Sequence, residues 1–333
     1  MNSRERVRRT LAFENPDRVA RSWPGGDMCG AGNTVKTHAT DWEQVGPQAW
    51  ERTDEWGNHW RRLDAHSKGE VVRGVLEKLD DMDSYEFPDF SNVDDYEPMA
   101  ATRREHPELY LLGGMPGFAF NIARKLRRLD QYMLDLLTEP DRISALHDRI
   151  DDLVADMIRN YAAQGADAVM FCEDWGTQQQ LFIDPELWRR EFYPRFERLC
   201  GIAHQEGLAV WMHSCGAIGA IVPDLMRAGI DAFQFDQPEL HGLDTLAAYQ
   251  EQAPVTFWSP VDTQRILPTG DIELVREHAR LMLDKLWKGR GGFVAGIYGD
   301  NNALGIGPEV QQAACETFDA YGRAECYANQ QSV

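Results

Sequence analysis

The sequence predicts an α/β fold, a single (β/α)8 barrel of the TIM type with a loop-rich N-terminal extension, on three observations. From residue 108 onward, short apolar segments alternate with amphipathic helical segments, which is typical of a parallel sheet covered by helices. No glycine-rich dinucleotide fingerprint follows the first strand, which disfavours an open Rossmann sheet. The 333 residues exceed the roughly 250 that such a barrel needs, so an extension fits as well.

The predicted elements follow one another as a barrel requires. A helix begins after Asn2 or Ser3 and ends at Asn15-Pro16, and a first strand lies at 18–23. Residues 30–105 are rich in Asp, Glu, Trp and Gly and predict loops and short strands. Six more strands are expected at 110–113, 168–172, 209–213, 232–235, 255–258 and 293–296. The helices between them are expected at 126–137, 141–164, 185–206, 218–228, 244–252 and 271–288, with another after Pro308. We therefore expect one domain over 1–333, divided into the extension (1–105) and the main strand–helix repeats (106–333).

Charge and composition exclude several kinds of partner. The net charge of −20 argues against binding to nucleic acid or to an anionic membrane surface, and we expect this acidity to serve solubility. No run of about 18 apolar residues predicts a membrane span, and the N-terminus lacks the apolar core of a secretory signal. The six cysteines are scattered, which favours reduced thiols and a cytoplasmic location.

The residues that follow each barrel strand are expected to line the active-site end. Polar, acidic and thiol side chains gather there, whereas the strand interiors are apolar. These segments are 27–29, 115–117, 173–176, 213–216, 236–239, 259–262 and 298–301.

The segment 213–216 (HSCG) is the sharpest local signal. In an extended chain residues i and i+2 project to the same side, so His213 and Cys215 face one point above the barrel. Imidazole and thiolate together suit Zn²⁺. The alternative is a histidine that caps a helix beside a buried, inert thiol, and spacing alone does not decide between them.

Two adjacent carboxylates follow the strand predicted at 168–172. Their repulsion suits an acid, a base or a metal ligand. We expect Glu173 to be a third metal ligand, Asp174 to move a proton and Trp175 to bind substrate, with Cys172 pointing into the barrel wall. Capping of the following segment is the alternative for the carboxylates.

The segment 298–302 (YGDNN) follows the last strand. Here Asp300 is expected to bind metal or take up a proton, Tyr298 to hydrogen-bond substrate and Asn301 to contact it. A plain turn explains these residue types equally well. Gln237 is expected to bind a polar ligand edge or to form a turn, and Phe118 to form an apolar wall for a planar ligand or to pack in the core.

Several segments, by their sequence and their order along the chain, resemble the uroporphyrinogen-decarboxylase-like superfamily. The resemblance extends from about residue 3 to residue 325. They are 3–7 (SRERV), 15–19 (NPDRV), 54–57 (DEWG), 185–188 (PELW), 213–216 (HSCG) and 237–239 (QPE). That superfamily is a (β/α)8 barrel, which agrees with the predicted strands. It holds metal-free decarboxylases of porphyrinogens and zinc-dependent methyltransferases that pass methyl groups between a corrinoid and a thiol or a pterin.

The chain resembles the corrinoid-dependent methyltransferase branch more than the true decarboxylases. The decarboxylases carry Arg-Gln-Ala-Gly-Arg near the first strand, whereas 22–28 here reads SWPGGDM and lacks that clamp. The methyltransferase metal motif is His-x-Cys followed by a distant Cys, and His213 and Cys215 match its first part. Gly299 stands in place of the distant Cys. The resemblance then implies either a zinc site completed by oxygen ligands such as Glu173 or Asp300, with Cys29 as a further candidate, or no metal.

The resemblance implies metal-assisted methyl transfer between a small O- or N-methyl compound or a pterin and a corrinoid carrier such as methylcobalamin. An oxygen-rich site is a harder Lewis acid than a two-thiolate site, which suits such substrates. Asp300 or Asp174 is expected to move the proton. A separate corrinoid protein is the implied partner, and region 30–105 is expected to form a lid or the contact of a homodimer.

Two other functions stay open at this stage. A cofactor-free decarboxylase or other lyase acting on a small carboxylic acid needs a cationic clamp, for which Arg124, Lys125 and Arg265 are the candidates. A barrel that binds a small molecule without turning it over is suggested by Gly299. Metal-free activity on an acid favours the first, and ligand binding without turnover favours the second.

Overall fold

The computed structural model describes residues 1–65, 67–325 and 327, and its centre is a nearly closed barrel of eight parallel strands. The predicted (β/α)8 fold is therefore confirmed. The barrel strands are β1 (Ala20–Arg21), β2 (Met28–Ala31), β7 (Tyr110–Gly114), β8 (Ala168–Cys172), β9 (Ala209–His213), β10 (Ala232–Gln234), β11 (Thr256–Ser259) and β12 (Phe293–Ala295). Around the barrel their order is β1-β12-β11-β10-β9-β8-β7-β2.

The helices lie outside this barrel and close to their predicted places. The segment expected as one helix at 185–206 is two helices, because Pro194 lacks the N–H that a continuous helix needs. The segment expected at 271–288 is α-helical to Met282 and ends in a π-helical turn (Leu283–Trp287). The α-helices are α1 (Ser3–Ala12), α2 (Glu97–Glu105), α3 (Ala119–Leu126), α4 (Leu129–Thr138), α5 (Pro140–Ala163), α6 (Pro185–Glu191), α7 (Tyr193–Gln205), α8 (Val222–Ala228), α9 (Pro238–His241), α10 (Leu243–Gln252), α11 (Ile272–Met282), α12 (Asn301–Leu304) and α13 (Pro308–Tyr321). Short 3-10 turns lie at Leu79–Asp83, Val93–Tyr96 and Leu267–Thr269.

One barrel strand, β2, was not among the predicted strands. The segment 27–29, expected as a loop after the first strand, instead leads into it, and Cys29 lies inside it. Asp27 is buried and accepts hydrogen bonds from the guanidinium groups of Arg6 (2.6 Å) and Arg18 (2.7 and 2.9 Å) and from the Arg21 N–H (3.0 Å). This carboxylate ties α1 to both edges of the gap between β1 and β2, so its role is structural.

The extension contains a small antiparallel sheet inserted between β2 and β7. Its four strands are β3 (Glu43–Gly46), β4 (Ala49–Thr53), β5 (His59–Arg62) and β6 (Glu70–Arg73). The turn 54–57 owes its shape to Asp54, whose carboxylate accepts the N–H groups of Trp56 (3.0 Å) and Asn58 (2.9 Å) and the indole N–H of Trp60 (2.6 Å). Trp56 is thereby fixed in the hydrophobic core beside Phe90.

The alternation of side chains along the strands separates two hydrophobic cores. Ala168, Trp211, Ala232 and Val294 pack inside the barrel, whereas their neighbours in sequence pack outward against the helices. Among those helices, α5 buries a mostly apolar face that also contains His147 and Asp151, and each large aliphatic side chain on it contributes about 1.5–3 kcal/mol. Its buried apolar residues are Ile143, Leu146, Ile150, Val154, Ala155, Met157, Ile158 and Tyr161. No helix in the described part of the chain has the length and apolar character that crossing a membrane requires.

Candidate functional site

The inward positions at the carboxyl ends of three adjacent strands carry polar side chains. Residues of the same parity as the inward-facing Ala168, Trp211 and Ala232 are Cys172, His213 and Gln234. Cys172 therefore faces the barrel mouth and is exposed to solvent, contrary to the expectation that it points into the wall. The mouth is thus open on the β8 side.

Three ligand-type side chains meet at this mouth. One donor atom each from Asp174, His213 and Cys215 lies within 4.8 Å of the others, and we call this group the DHC cluster. The Cys215 Sγ lies 3.3 Å from His213 Nε2, which in turn lies 3.5 Å from Asp174 Oδ1. The same Asp174 oxygen accepts the backbone N–H of Cys215 at 2.9 Å, so the loops after β8 and β9 hold each other in place.

The orientation of the His213 ring is set by Gln234. The amide N–H of Gln234 donates to Asp236 at 2.8 Å, so its carbonyl oxygen faces Nδ1 of His213, with which it forms a short hydrogen bond. Nδ1 therefore donates to this oxygen, and in the neutral tautomer that this hydrogen bond selects the free electron pair is on Nε2. Nε2 points at the other two members of the DHC cluster, as a metal-binding imidazole does.

The electrostatics of the DHC cluster favour a bound cation. Burial, together with the negative charges of Asp174 and Asp236, raises the pKa of the Cys215 thiol to about 12. A thiol in this environment is neutral at pH 7 unless a metal ion compensates the charge, because a coordinating thiol loses its proton. Imidazole, thiolate and carboxylate are all ligands that Zn²⁺ accepts.

Two glycines allow the loops that carry the DHC cluster to touch. Gly216 has φ +83°, a left-handed conformation that side-chain-bearing residues rarely adopt, and a Cβ placed there would lie 2.2 Å from the carbonyl oxygen of Gly176. A Cβ on Gly176 would lie 2.7 Å from the Ala217 nitrogen. The glycine that ends the segment 213–216 is thus required by backbone packing beside the cluster.

Glu173 faces away from the DHC cluster. Its Oε1 accepts the N–H of Phe118 (2.6 Å) and of Asn121 (3.2 Å) at the start of α3, while Oε2 is buried without a partner among the described residues. Burial raises the pKa of this carboxyl to about 8 despite those two hydrogen bonds. Glu173 is thus a neutral acid at pH 7 that joins β8 to α3, and the structure brings Asp174, not Glu173, to the cluster.

Residues 65–318 match the family described as uroporphyrinogen decarboxylase (URO-D). The chain belongs to the URO-D family. No curated protein matches it. Among solved structures, a methyltransferase from Methanosarcina mazei is similar over 96% of this chain and 99% of that chain, with 14% identity and a TM-score of 0.67. A B12-independent methionine synthase from a Shewanella species, in complex with selenomethionine, is similar over 99% of this chain and 88% of that chain, with 11% identity and a TM-score of 0.49.

In this URO-D family barrel, the segment 298–302 serves local folding. The Asp300 carboxylate accepts the Ala303 N–H at 3.1 Å and thereby caps α12. Gln311 holds both the backbone of Tyr298 and the side chain of Asn301. Gly299 is exposed, and a Cβ there would meet nothing within 4 Å. None of these residues is in the DHC cluster, and the same holds for Cys29, whose thiol contacts the Gly30 carbonyl oxygen at 3.7 Å.

The predicted aromatic binding residues are buried in the core. Trp175 stacks on Phe120 with ring centroids 3.9 Å apart, and Phe118 stacks on Phe171 at the same separation. Both Trp175 and Phe118 are at most 2% exposed, so neither presents a face to a ligand. Gln237 lies nearer the site, since it lines a small cavity with Cys215 and accepts a hydrogen bond from Gln178 at 3.1 Å.

Sequence reasoning missed two residues of the site. Gln234, which orients His213, is a single polar residue in an apolar strand, and only its inward parity points to it. The sequence indicates Arg124 only as part of a cationic clamp, whereas in the structure its Nη2 lies 3.6 Å from Asp174 Oδ2. No spacing in the sequence links α3 to the loop after β8, and the contact between Arg124 and Asp174 therefore could not be predicted.

Proposed function

We propose that this protein is a metal-assisted methyltransferase that passes a methyl group between a small O- or N-methyl compound, or a pterin, and a corrinoid carrier. The observation that carries the proposal is the DHC cluster, three metal-ligand side chains at the carboxyl end of a URO-D family barrel. Active sites of such barrels lie at that end. The fold shared with a methyltransferase is compatible with this activity.

Asp174, His213 and Cys215 would hold one zinc ion. Bound there, zinc would supply a Lewis acid that polarises the atom from which, or to which, the methyl group moves. One nitrogen, one sulfur and one oxygen donor leave a fourth position for substrate. Asp174 is here a ligand, where the sequence indicated a proton-transfer group.

The protein's own residues prepare this site in three ways. Gln234 fixes the proton of His213 on Nδ1 and so keeps Nε2 available. The Cys215 N–H fixes the Asp174 carboxylate, and Arg124 stabilises its charge from the other side. Because these groups are held before substrate arrives, donor and acceptor meet a fixed geometry, which in-line displacement requires.

Glu173 joins β8 to α3 behind the barrel mouth. It is protonated at pH 7, and Oε1 accepts two backbone N–H groups, so the proton resides on Oε2. Substrate enters where the mouth is exposed beside Cys172, and the corrinoid carrier would dock on this same face. We propose that the carrier is a separate protein and that the enzyme acts in the cytoplasm, either as a monomer or as a homodimer.

The proposal is tested by metal analysis of the full chain, purified without an affinity tag. We expect about one zinc per chain in the wild type and less than a tenth of that in H213A and C215A. C315S is the matched control, since Cys315 is a free, partly buried cysteine on α13 and not in the cluster, and it should retain zinc. Zinc-loaded protein should then exchange methyl groups with methylcobalamin, and C215A should not. A wild type that cannot be loaded with zinc refutes the proposal.

A cofactor-free lyase acting on a small carboxylic acid is the second candidate. The observation that favours it is the pair of cations on α3, Arg124 and Lys125, which provide the clamp that the decarboxylase arginines would otherwise supply. Arg265, the third candidate for that clamp, instead donates to the Glu239 carbonyl oxygen at 3.2 Å. Release of CO2 from an acid by zinc-free wild type, undiminished in C215A, would establish this alternative.

A further inference from the structure

A small cavity beside the barrel mouth is lined by charged groups of both signs. It lies between the small sheet and α3, and Pro116, in the loop after β7, places it at the edge of the mouth. Its volume of about 180 Å³ is below the roughly 300 Å³ of the smallest drug-sized pockets, so it suits a small molecule. Two cations and two carboxylates line it, with no net formal charge: Arg52, Lys125, Asp54 and Glu55. We call it the charged cavity.

The carboxylate of Glu55 lacks a direct partner from another residue. It is half-buried, and among the described residues it accepts a hydrogen bond only from its own backbone N–H. Lys125 and Arg52 act on it electrostatically, but neither forms an ion pair with it within 4.0 Å. The opposite charges therefore face one another across the charged cavity without meeting.

Lys125 is the counterpart of Glu55 on the α3 side of the cavity. Asp54 and Glu55 supply its counter-charge from a distance, and both oxygens of Asp54 are occupied by N–H groups of the turn and of Trp60. Burial lowers the pKa of Lys125 and raises that of Glu55. Each ionised group would therefore be stabilised by an opposite charge placed inside the cavity.

Two further residues of the lining carry donors that no described residue satisfies. Trp56 is only 2% exposed, and its indole Nε1 is buried without a hydrogen-bond partner. The Nε of Arg52 is likewise buried and unpartnered, while its guanidinium lies over the Trp60 ring, 5.3 Å from the centroid. Buried donors are usually paired in folded proteins, and the acceptor oxygens of a ligand would pair with these.

We propose that the charged cavity binds a small zwitterion, an α-amino acid whose ammonium group pairs with Glu55 and whose carboxylate pairs with Lys125 and Arg52. A simple anion or cation would leave the lining group of its own sign unpaired, so the balanced lining selects against both. The binding site stands on the cavity alone. Naming an N-methylated amino acid as the methyl donor rests on the proposed function, and Arg124, next to Lys125 on α3, lies 3.6 Å from Asp174 of the DHC cluster.

The experiment is isothermal titration of the full chain at pH 7 with three probes that share one skeleton. Sarcosine (N-methylglycine) is a zwitterion, methoxyacetate has an ether oxygen in place of its ammonium group, and sarcosinamide has an amide in place of its carboxylate. We expect sarcosine to bind about tenfold more tightly than each analogue, or better, because each analogue leaves a buried charge unpaired. The C215A chain should bind sarcosine as the wild type does, so loss of zinc or methyl transfer and loss of this site are separate results.

Two variants assign the two ends of the ligand. Glu55→Gln should abolish the preference for sarcosine over methoxyacetate and keep the preference over sarcosinamide, and Lys125→Met should do the reverse. Lys285→Met, which removes a surface lysine paired with Asp244, is the control and should keep both preferences.

The comparison of probes on the wild type needs no variant to fold. Sarcosine that binds no more tightly than one of the analogues, or that does not bind at about 10 mM, overturns the proposal. Retention of both preferences in both variants also overturns it, because the charges of the lining then only compensate one another.

Discussion

The side-chain oxygen of Gln234 hydrogen-bonds Nδ1 of His213, and this contact decides which ring nitrogen faces the DHC cluster. The orientation of the Gln234 amide is fixed, because its Nε2–H donates to Asp236 Oδ1 at 2.8 Å. A residue on β10 therefore determines the chemistry of a residue on β9. The proposed zinc site therefore depends on this pair as well as on its three ligands.

Replacing Gln234 by leucine should lower zinc affinity by about 10- to 100-fold, since an unsupported imidazole loses its fixed tautomer and orientation. The measurement is competition with a chromophoric zinc chelator. Gln237→Leu is the control, because Gln237 is a neighbour of the cluster that does not contact His213, and it should change affinity less than twofold. Equal affinities for Gln234→Leu and the wild type would show that His213 is oriented by other contacts.

The Gly176–Gly216 contact gives a second prediction. Gly216→Ala should destabilise the fold by about 1–3 kcal/mol through backbone strain alone, and it should also reduce zinc content, because the loops that carry Asp174 and Cys215 must separate. Gly201→Ala on α7 is the matched control. A Cβ there meets nothing within 4 Å, so that variant should gain about 0.5–1 kcal/mol. Urea unfolding and zinc content of the three proteins check both statements.

The barrel was predictable because its central strands are short apolar segments bounded by polar residues. The strands at 168–172 and 209–213 have the predicted bounds. β2 escaped prediction because four residues that include Gly30 give no periodicity, and the polar Asp27 before it indicated a loop. The strands of the small sheet owe their form to pairing with one another, which short segments do not reveal.

The site was predictable where one motif carries both partners, as in His213 and Cys215. The sequence indicated Glu173 as the third ligand instead of Asp174, because two adjacent carboxylates can be told apart only by which of them faces the barrel mouth. Ala168 packs inside the barrel, so Cys172 faces inward and Glu173 outward, and Asp174 returns to the mouth only because the strand has ended. Whether these side chains bind metal stays a prediction.

Glu173 provides a third prediction, which separates its hydrogen bonds from its charge. Glu173→Ala leaves the N–H groups of Phe118 and Asn121 buried and unpaired, at about 1–3 kcal/mol each. Glu173→Gln keeps the accepting oxygen and should differ from the wild type by less than about 1 kcal/mol at pH 7, because the wild-type carboxyl is already neutral there. Chemical denaturation compares the three. If the glutamine variant loses as much stability as the alanine variant, the carboxyl is ionised in the folded protein.

The last prediction concerns His241, which stacks on Phe235 with ring centroids 4.4 Å apart. Burial lowers the pKa of His241 to about 4, against about 6.5 in an unfolded chain. Between these values the unfolded chain binds more protons, so stability falls as the pH is lowered from 6.5 to 4, by at most about 1.4 kcal/mol per pH unit. His241→Phe keeps the stacking and does not titrate. Its stability relative to the wild type should therefore increase as the pH is lowered from 6.5 to 4, and should stay constant above pH 7.

The control for this pH dependence is a histidine whose pKa is shifted in the opposite direction. The hydrogen bond to Asp231 raises the pKa of His204, so its contribution is complete below pH 6.5 and is lost as the pH rises through the folded value. His204→Gln should therefore have a lower free energy of unfolding than the wild type at acidic pH. In the same range the stability of His241→Phe relative to the wild type should increase. Urea denaturation in the presence of a chelator, from pH 4.5 to 8, measures both without interference from metal release. Parallel curves for His241→Phe and the wild type would show that His241 titrates in the folded protein as it does in the unfolded chain.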